Sequence, residues 1–444
     1  MSLQERAIAY LKDELSEQGK AEFERELLES DTLRAELQKS RETLDILEAA
    51  SDAAISRLAN SIVLQCLAER GSDVHIVPES RSLVVRYRID GSLREAMRLP
   101  VSYHHPLIDR FKTMAECNVN ERRLPQDGRA MVDFEGKAFE MRLTFLATAY
   151  GERMTVRLID RKHLQFGLDM CELTSEQSEK IERLIAVPNG LLMVTGGAGS
   201  GKTTMLYSLL KAIWERKQGT VNVVTVEDPI EITFDGWSQT AVDRKAGLTF
   251  AVLQRVALHN DPDVVMVGEL RDLESAEIAI ETAVTGHIVV TQLHAPRAAD
   301  VPRRLHEIGL ELFLVAQKLT GVIGMRLVPK SCPHCAETYL PDPDLLLLAG
   351  LTPEDGPFHR GSGCSQCLNR GWRGRVPLYE VLEVTPGLRD RIASDATSDE
   401  IWRAVFGANG GSLWDDARAK IRAGLITVER TAEALFDYSV PGGE

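Results

Sequence analysis

Eight residues constrain this chain more than any other stretch: GGAGSGKT, at positions 196 to 203, follows the apolar run LLMVT and leads into TTMLYSLLKAIW. The order is strand, glycine-rich turn, helix. Gly196, Gly197, Gly199 and Gly201, with Ala198 and Ser200 between them, let successive backbone N–H groups converge at a helix N-terminus, where the aligned peptide dipoles favour an anion. Lys202 is placed to reach the β and γ phosphates of a nucleotide, the Thr203 hydroxyl to ligate Mg²⁺, and Thr204 to open the helix. A loop of this kind establishes nucleotide binding and no more, because unrelated machines share it.

Its surroundings narrow the reading. Apolar runs at 191 to 194, 221 to 226, 264 to 267 and 288 to 290 alternate with helical stretches, which predicts a mostly parallel sheet covered on both faces. Ligands of such sheets bind past the C-terminal strand ends. TVEDPIE, at 225 to 231, and NDPDVVMVGELRD, at 260 to 272, each end a predicted strand in carboxylates. Glu269 is the better candidate to orient or deprotonate an attacking water, and Glu227 or Asp228 to hold Mg²⁺ through water. TGHIVVTQLHA, at 285 to 295, sets His287 and His294 at the two ends of a short strand, and either is a candidate sensor of the γ phosphate. An ordinary structural role stays open for both.

Upstream, from about 51 to 165, short alternating runs predict an α+β domain, with Asp90-Gly91 turning a hairpin. Residues 1 to 50 carry 13 acidic against 7 basic residues, and Leu33, Leu37, Leu44 and Leu47 share one side of a helical wheel. These are expected to be amphipathic helices, either a solvated appendage or a module that docks a partner. With a net charge of −14 the chain lacks the overall basic balance of a general nucleic-acid binder, although a local basic groove stays open. The run from Leu345 to Ala349 is far short of the roughly 20 apolar residues that span a bilayer, and no charged-then-apolar leader opens the chain. The expectation is a soluble, cytoplasmic protein.

CPHC at 332 to 335 and CSQC at 364 to 367 bring four cysteines into two knuckles separated by 28 residues. Cys332, Cys335, Cys364 and Cys367 make the ligand set of a tetrahedral structural Zn²⁺ site. Four protein ligands leave no open position, so such an ion would be structural. Redox cysteines or a degenerate, unfilled site are the alternatives.

GGAGSGKTTMLY, TVEDPIE, GLTFAVLQRVALHNDPDVVMVGELRD and TGHIVVTQLHA resemble, in order, the phosphate loop, aspartate box, acidic strand motif and histidine box of the type II secretion and type IV pilus assembly ATPases, also called general secretory pathway protein E. SDVHIVPESRSLVVRYRIDGSLRE, ERRLPQDGRA and MRLTFLATAYGERMTVRL are similar to that family's N-terminal domain. The resemblance implies an α/β fold: a RecA-like P-loop NTPase core (166–328) with a preceding α+β domain (51–165), a zinc-binding insert (329–378) and helical ends (1–50 and 379–444). It implies an ATP-hydrolysing homohexamer that powers pilus or pseudopilus assembly, associated with the inner membrane through platform and cytoplasmic-face proteins. It also implies that Arg129 in QDGR and Arg142 in EMRL reach the phosphates. The retraction branch of the family lacks the four-cysteine segment, which favours assembly or secretion. His259-Asn260, Gln292 and Pro296 depart from the pattern, where Arg-Gln, Thr and Asn are usual. A DNA-uptake motor and an ATP-binding scaffold with weak hydrolysis remain open beside the secretion reading.

Overall fold

The computed structural model describes residues 52–160 and 166–438, together with Tyr10, Ser16, Gly19, Lys20, Phe23, Glu26, Ser30 and Leu33. The leucine stripe expected near the N-terminus lies outside the described residues, except for Leu33. Leu33 and Phe23 are buried, and Phe23 stacks on Tyr10, so these side chains are covered by the chain itself. Two compact units divide the molecule, Met1–His163 and Leu164–Glu444.

The first unit contains α1 (Asp52–Ala68), β1 (Gly71–Pro78), β2 (Ser82–Ile89), β3 (Ser92–Pro100), α2 (His104–Met114), β4 (Gln126–Phe134), β5 (Lys137–Thr148) and β6 (Gly151–Asp160). The strands form an antiparallel sheet in the order β3-β2-β1-β6-β5-β4. Alternation decides what each face carries. Val74, Ile76, Val85, Tyr87, Met141 and Leu143 pack with Ile62 of α1 and Phe111 of α2 in one apolar cluster. The residues between them, Arg142 and Arg157 among these, point the other way. At the predicted hairpin Asp90 and Gly91 both take positive φ, 50° and 88°, the combination a tight turn between right-twisted strands requires.

The second unit is built on a seven-stranded sheet in the order β15-β12-β7-β11-β10-β8-β9. Its strands are β7 (Gly190–Thr195), β8 (Val223–Glu227), β9 (Ser238–Ala241), β10 (Val264–Val267), β11 (Ile288–Leu293), β12 (Leu319–Ser331) and β15 (Trp372–Glu383). All neighbouring pairs are parallel except β12–β15. The continuous apolar runs follow from burial on both faces. Leu191, Met193, Val265 and Val289 join one core cluster, whereas their neighbours Leu192, Val194, Val264 and Val290 join the other. The first helix after the glycine-rich loop, α4 (Lys202–Arg216), supplies Met205, Leu206 and Leu209 to the second cluster; the helix before β7, α3 (Ser175–Ile185), adds Ile181 and Leu184. Among the described residues no helix is long and apolar enough to cross a membrane.

The four-cysteine segment, which carries a small antiparallel pair of its own, β13 (Ala336–Tyr339) and β14 (Phe358–Gly361), interrupts a hairpin of the main sheet, because β12 and β15 pair over their length with the segment between them. Leu346 and Phe358 of that segment share an apolar cluster with Leu413, Trp414, Ile421 and Tyr438 near the C-terminus. The knuckles and the C-terminal helices therefore pack on one arm of the sheet. Glu380, on β15, ties this arm together. Its carboxylate is fully buried, accepts the Ala298 amide at 2.6 Å and the Tyr438 hydroxyl, and burial pushes its pKa up. Opposite it on β12 stands Gly324, where a Cβ would lie 2.7 Å from the Glu380 Cγ. Because the carboxylate is held from two sides, Gly324→Ala is expected to cost about 1–3 kcal/mol as an overpacked core does. Thermal unfolding should show a midpoint several degrees lower, and an unchanged midpoint would mean the Glu380 side chain is free to move.

Candidate nucleotide site and four-cysteine cluster

Four strands running in one direction deliver four functional groups to one edge of the sheet. Lys202 lies beyond the end of β7, Glu227 ends β8, Glu269 follows β10, and His294 follows β11. The loop after β7 closes tightly. Gly196 has φ +152°, and a Cβ there would lie 2.4 Å from the Met325 carbonyl, so no larger residue fits. Gly201 takes a left-handed φ of +95° as the residue that caps α4. Thr195 ties the loop to the exit of β11: its hydroxyl lies 2.9 Å from the Leu293 carbonyl and accepts the Ala295 amide at 3.0 Å.

Lys202 is buried, and its Nζ donates to the carbonyls of Gly196 at 3.0 Å and Gly197 at 2.8 Å. Burial pulls its pKa down to about 8, against the opposing pull of Glu269. His294 stands between the two, with Nδ1 3.4 Å from the Lys202 Nζ and Nε2 3.3 Å from a Glu269 oxygen. The other Glu269 oxygen accepts Arg271 Nε at 2.8 Å. A cavity of about 120 Å³ opens beside them, lined by Thr203, Glu227, Asp228, Glu269, Arg271 and Gln292.

Glu227 is more enclosed than a surface carboxylate at a strand end would be. It accepts hydrogen bonds from the Tyr207 hydroxyl, from Thr225 Oγ1 at 2.6 Å and from Gln239 Nε2 at 3.0 Å. Asp228 pairs instead with Arg244, at 3.3 Å. His287 belongs to the opposite edge. It precedes β11, a strand of six residues and so about 20 Å long. Its ring bonds the Thr282 carbonyl at 3.0 Å and lies 3.1 Å from the Thr285 hydroxyl. The structure brings His294 to the loop and leaves His287 away from it. The departures His259 and Asn260 also lie at the far edge, where Asn222, just ahead of β8, bonds the Asn260 carbonyl at 2.7 Å. Arg129 and Arg142 face each other across β4 and β5 of the first unit, in line with Arg157 of β6. Glu140 lies 3.4 Å from Arg142 and 3.8 Å from Arg129.

The four cysteines converge as their spacing predicts. Sulfur separations are 3.9 Å for Cys332–Cys364 and 3.8 Å for both Cys335–Cys367 and Cys364–Cys367, with all four within 4.8 Å of one another. A tetrahedron whose centre lies about 2.3 Å from each sulfur, the usual metal–thiolate bond, has edges of about 3.8 Å. Backbone amides add to the fit. Gly363 N–H points at the Cys335 sulfur at 3.3 Å, and those of Cys364 and Gly371 at the Cys367 sulfur at 3.2 Å, which favours thiolates there. The cluster is able to hold a metal ion.

A family model described as type II/IV secretion system protein matches residues 48–433. The chain belongs to this family. It is 39% identical over 389 residues to the type II secretion system protein E of Pseudomonas aeruginosa, covering 87% of this chain and 77% of that protein. With the type IV pilus assembly ATPase PilB of Myxococcus xanthus it shares 36% identity over 392 residues, 87% of this chain and 68% of that one. The solved structure of the Legionella pneumophila ATPase DotB superposes with a TM-score of 0.62 at 22% identity, over 84% of this chain and 93% of that one, and so shares the fold.

Within this secretion ATPase, several site residues carry no motif of their own in the sequence. Tyr207 and Gln239 grip Glu227 from α4 and β9. Arg326 of β12 donates to the Pro296 carbonyl at 2.9 Å, and Arg375 of β15 to the Gly199 carbonyl at 3.3 Å, both from an arm distant in sequence. Arg271 alone left a local signal, two residues after Glu269. The lowered pKa of Lys202 has a measurable consequence. Only the protonated amine pairs with phosphate, and bound phosphate raises its pKa again, so ATP affinity should be level below about pH 8 and fall by up to about tenfold per unit above it. Titration calorimetry from pH 7 to 9.5 checks this. Lys202→Ala should bind weakly throughout without the break, and a break that survives this substitution would assign it to another group.

Proposed function

We propose that this chain is the ATP-hydrolysing motor of a type II secretion or type IV pilus assembly machine, working as a homohexamer on the cytoplasmic face of the inner membrane. The observation that carries the reading is the Lys202–His294–Glu269–Arg271 alignment on one sheet edge, beside the cavity that Thr203 lines. Glu269 is held from both sides and faces that cavity, which suits a group that orients water and accepts its proton. The amides of the 196–204 loop cradle the phosphates, Lys202 pairs with the β and γ phosphates, and Thr203 ligates Mg²⁺. Glu227, fixed by three donors, acts on the metal through water. Arg129 and Arg142 neutralise phosphoryl charge, and His287 is assigned no part in hydrolysis. Its partners are the platform and cytoplasmic-face proteins of the machine.

The site is expected to separate binding from chemistry. Glu269→Gln should bind ATP with unchanged affinity and hydrolyse it about 10²- to 10⁴-fold more slowly, the range for a positioned proton acceptor. Turnover above a tenth of wild type would remove Glu269 from that role. In cells whose own copy has been replaced by this variant, secretion or piliation should stop, and its persistence would sever the motor from the machine.

The four thiols are assigned to a structural Zn²⁺, because four protein ligands close the coordination sphere. The protein should carry about one zinc per chain by elemental analysis, and Cys364→Ser should lose it and expose the 329–378 arm to limited proteolysis. Zinc retained at full stoichiometry in this variant would place the metal elsewhere.

A further inference from the structure

Gln292 is fixed by its strand yet has a side-chain oxygen that no protein group satisfies. It is the fifth residue of β11, paired with Val194 of β7, and its carbonyl accepts the amide of Leu270, the residue after Glu269, at 3.3 Å. The main chain thus pins it between the strand that opens the phosphate loop and the strand that presents Glu269. Alternation along β11 sets its side chain on the face of Ile288 and Val290, the face on which α4 packs. There it lines the cavity beside Thr203, Glu227 and Glu269. Its Oε1 is buried and accepts no hydrogen bond from the protein.

The carboxylates next to it are engaged: Glu269 with Arg271 and His294, Glu227 with Tyr207, Thr225 and Gln239. A buried amide oxygen is costly without a donor. At the γ-phosphate end of a bound nucleotide, phosphate and carboxylate oxygens only accept, Arg271 is taken up by Glu269 and Asp228 and Lys202 by the phosphates, and water is left to donate. We propose that Gln292 Oε1 accepts a hydrogen bond from the attacking water, so that Gln292 and Glu269 orient it together. This rests on the hydrolysis reading above. In the step, the water oxygen bonds to the γ phosphorus, the bond from that phosphorus to the β–γ bridging oxygen breaks with its electron pair staying on that oxygen, which leaves as part of ADP, and the water proton passes to Glu269. Gln292 gains and loses no proton. Threonine, usual here in the resembled pattern, is too short to reach as far, so this contact is a feature of this chain.

The test compares full-length wild type, Glu269→Gln and Gln292→Met, in which a side chain of similar length lacks the amide. Gln292→Met should lower kcat about 10- to 100-fold, as loss of a reactant's orientation does, with KM for ATP and MgADP affinity within twofold of wild type. Its affinity for MgADP with aluminium fluoride, which captures the water in line with the phosphoryl mimic, should fall about tenfold. The thermal midpoint should not drop, since an unsatisfied oxygen has been removed. A kcat above half of wild type with unchanged fluoride-complex affinity would overturn the proposal, and so would equal losses of MgADP and fluoride-complex affinity, which would make Gln292 a wall of the pocket. If Gln292→Met fails to fold, Gln292→Thr carries the same expectations. Wild type that binds ATP without hydrolysing it would instead overturn the hydrolysis reading itself.

Discussion

Parallel pairing of β8, β10, β11 and β7 is the constraint on which the site depends. Strands that run the same way end at the same edge: Glu227 ends β8, His294 lies one residue past β11, Glu269 two past β10, and Lys202 at the close of the loop that follows β7. The pairing needs crossover helices, and the helices need apolar faces on both sides of the sheet. Burial on both faces therefore positions the chemistry: the alternating sets that separate Leu191 from Leu192 and Val264 from Val265 hold the strand ends level. A one-residue slip of β11 would exchange the facings of Gln292 and Leu293 and dismantle the cavity without touching the phosphate loop.

The groups at that edge hold one another. Lys202 and Glu269 are bridged by His294, and Arg271 fixes the outer carboxylate oxygen. Because Lys202 is enclosed, its charge is weakly solvated, which explains both the lowered pKa and the strength with which it would pair with phosphate. Glu227 shows the opposite arrangement, a buried acceptor whose three donors leave it oriented and unable to swing. Both carboxylates line the cavity, but Glu269 is held, among the described residues, only by Arg271 and His294, whereas Glu227 is built into the wall.

A second arm reaches this edge from far along the chain. β12 and β15 carry the cysteine knuckles at their tips and Arg326 and Arg375 at the phosphate loop. Glu380 joins them to the loop after His294 through Ala298 and to the C-terminus through Tyr438.

By itself the sequence determined the phosphate loop, the carboxylate after β10, the cysteine tetrad, the Asp90-Gly91 turn and the sheet with two buried faces. Each is a local pattern whose chemistry or periodicity needs no distant partner. Tertiary structure alone decided which of two histidines in one motif meets Lys202, because that depends on the direction of β11 relative to its neighbours. It also decided that Glu227 is gripped by Tyr207 and Gln239, that the cysteine segment and C-terminal helices share one core, and that Gln292 opens into the cavity. All of these depend on pairings between residues far apart in the chain, and no short stretch of sequence records which strand will lie beside which.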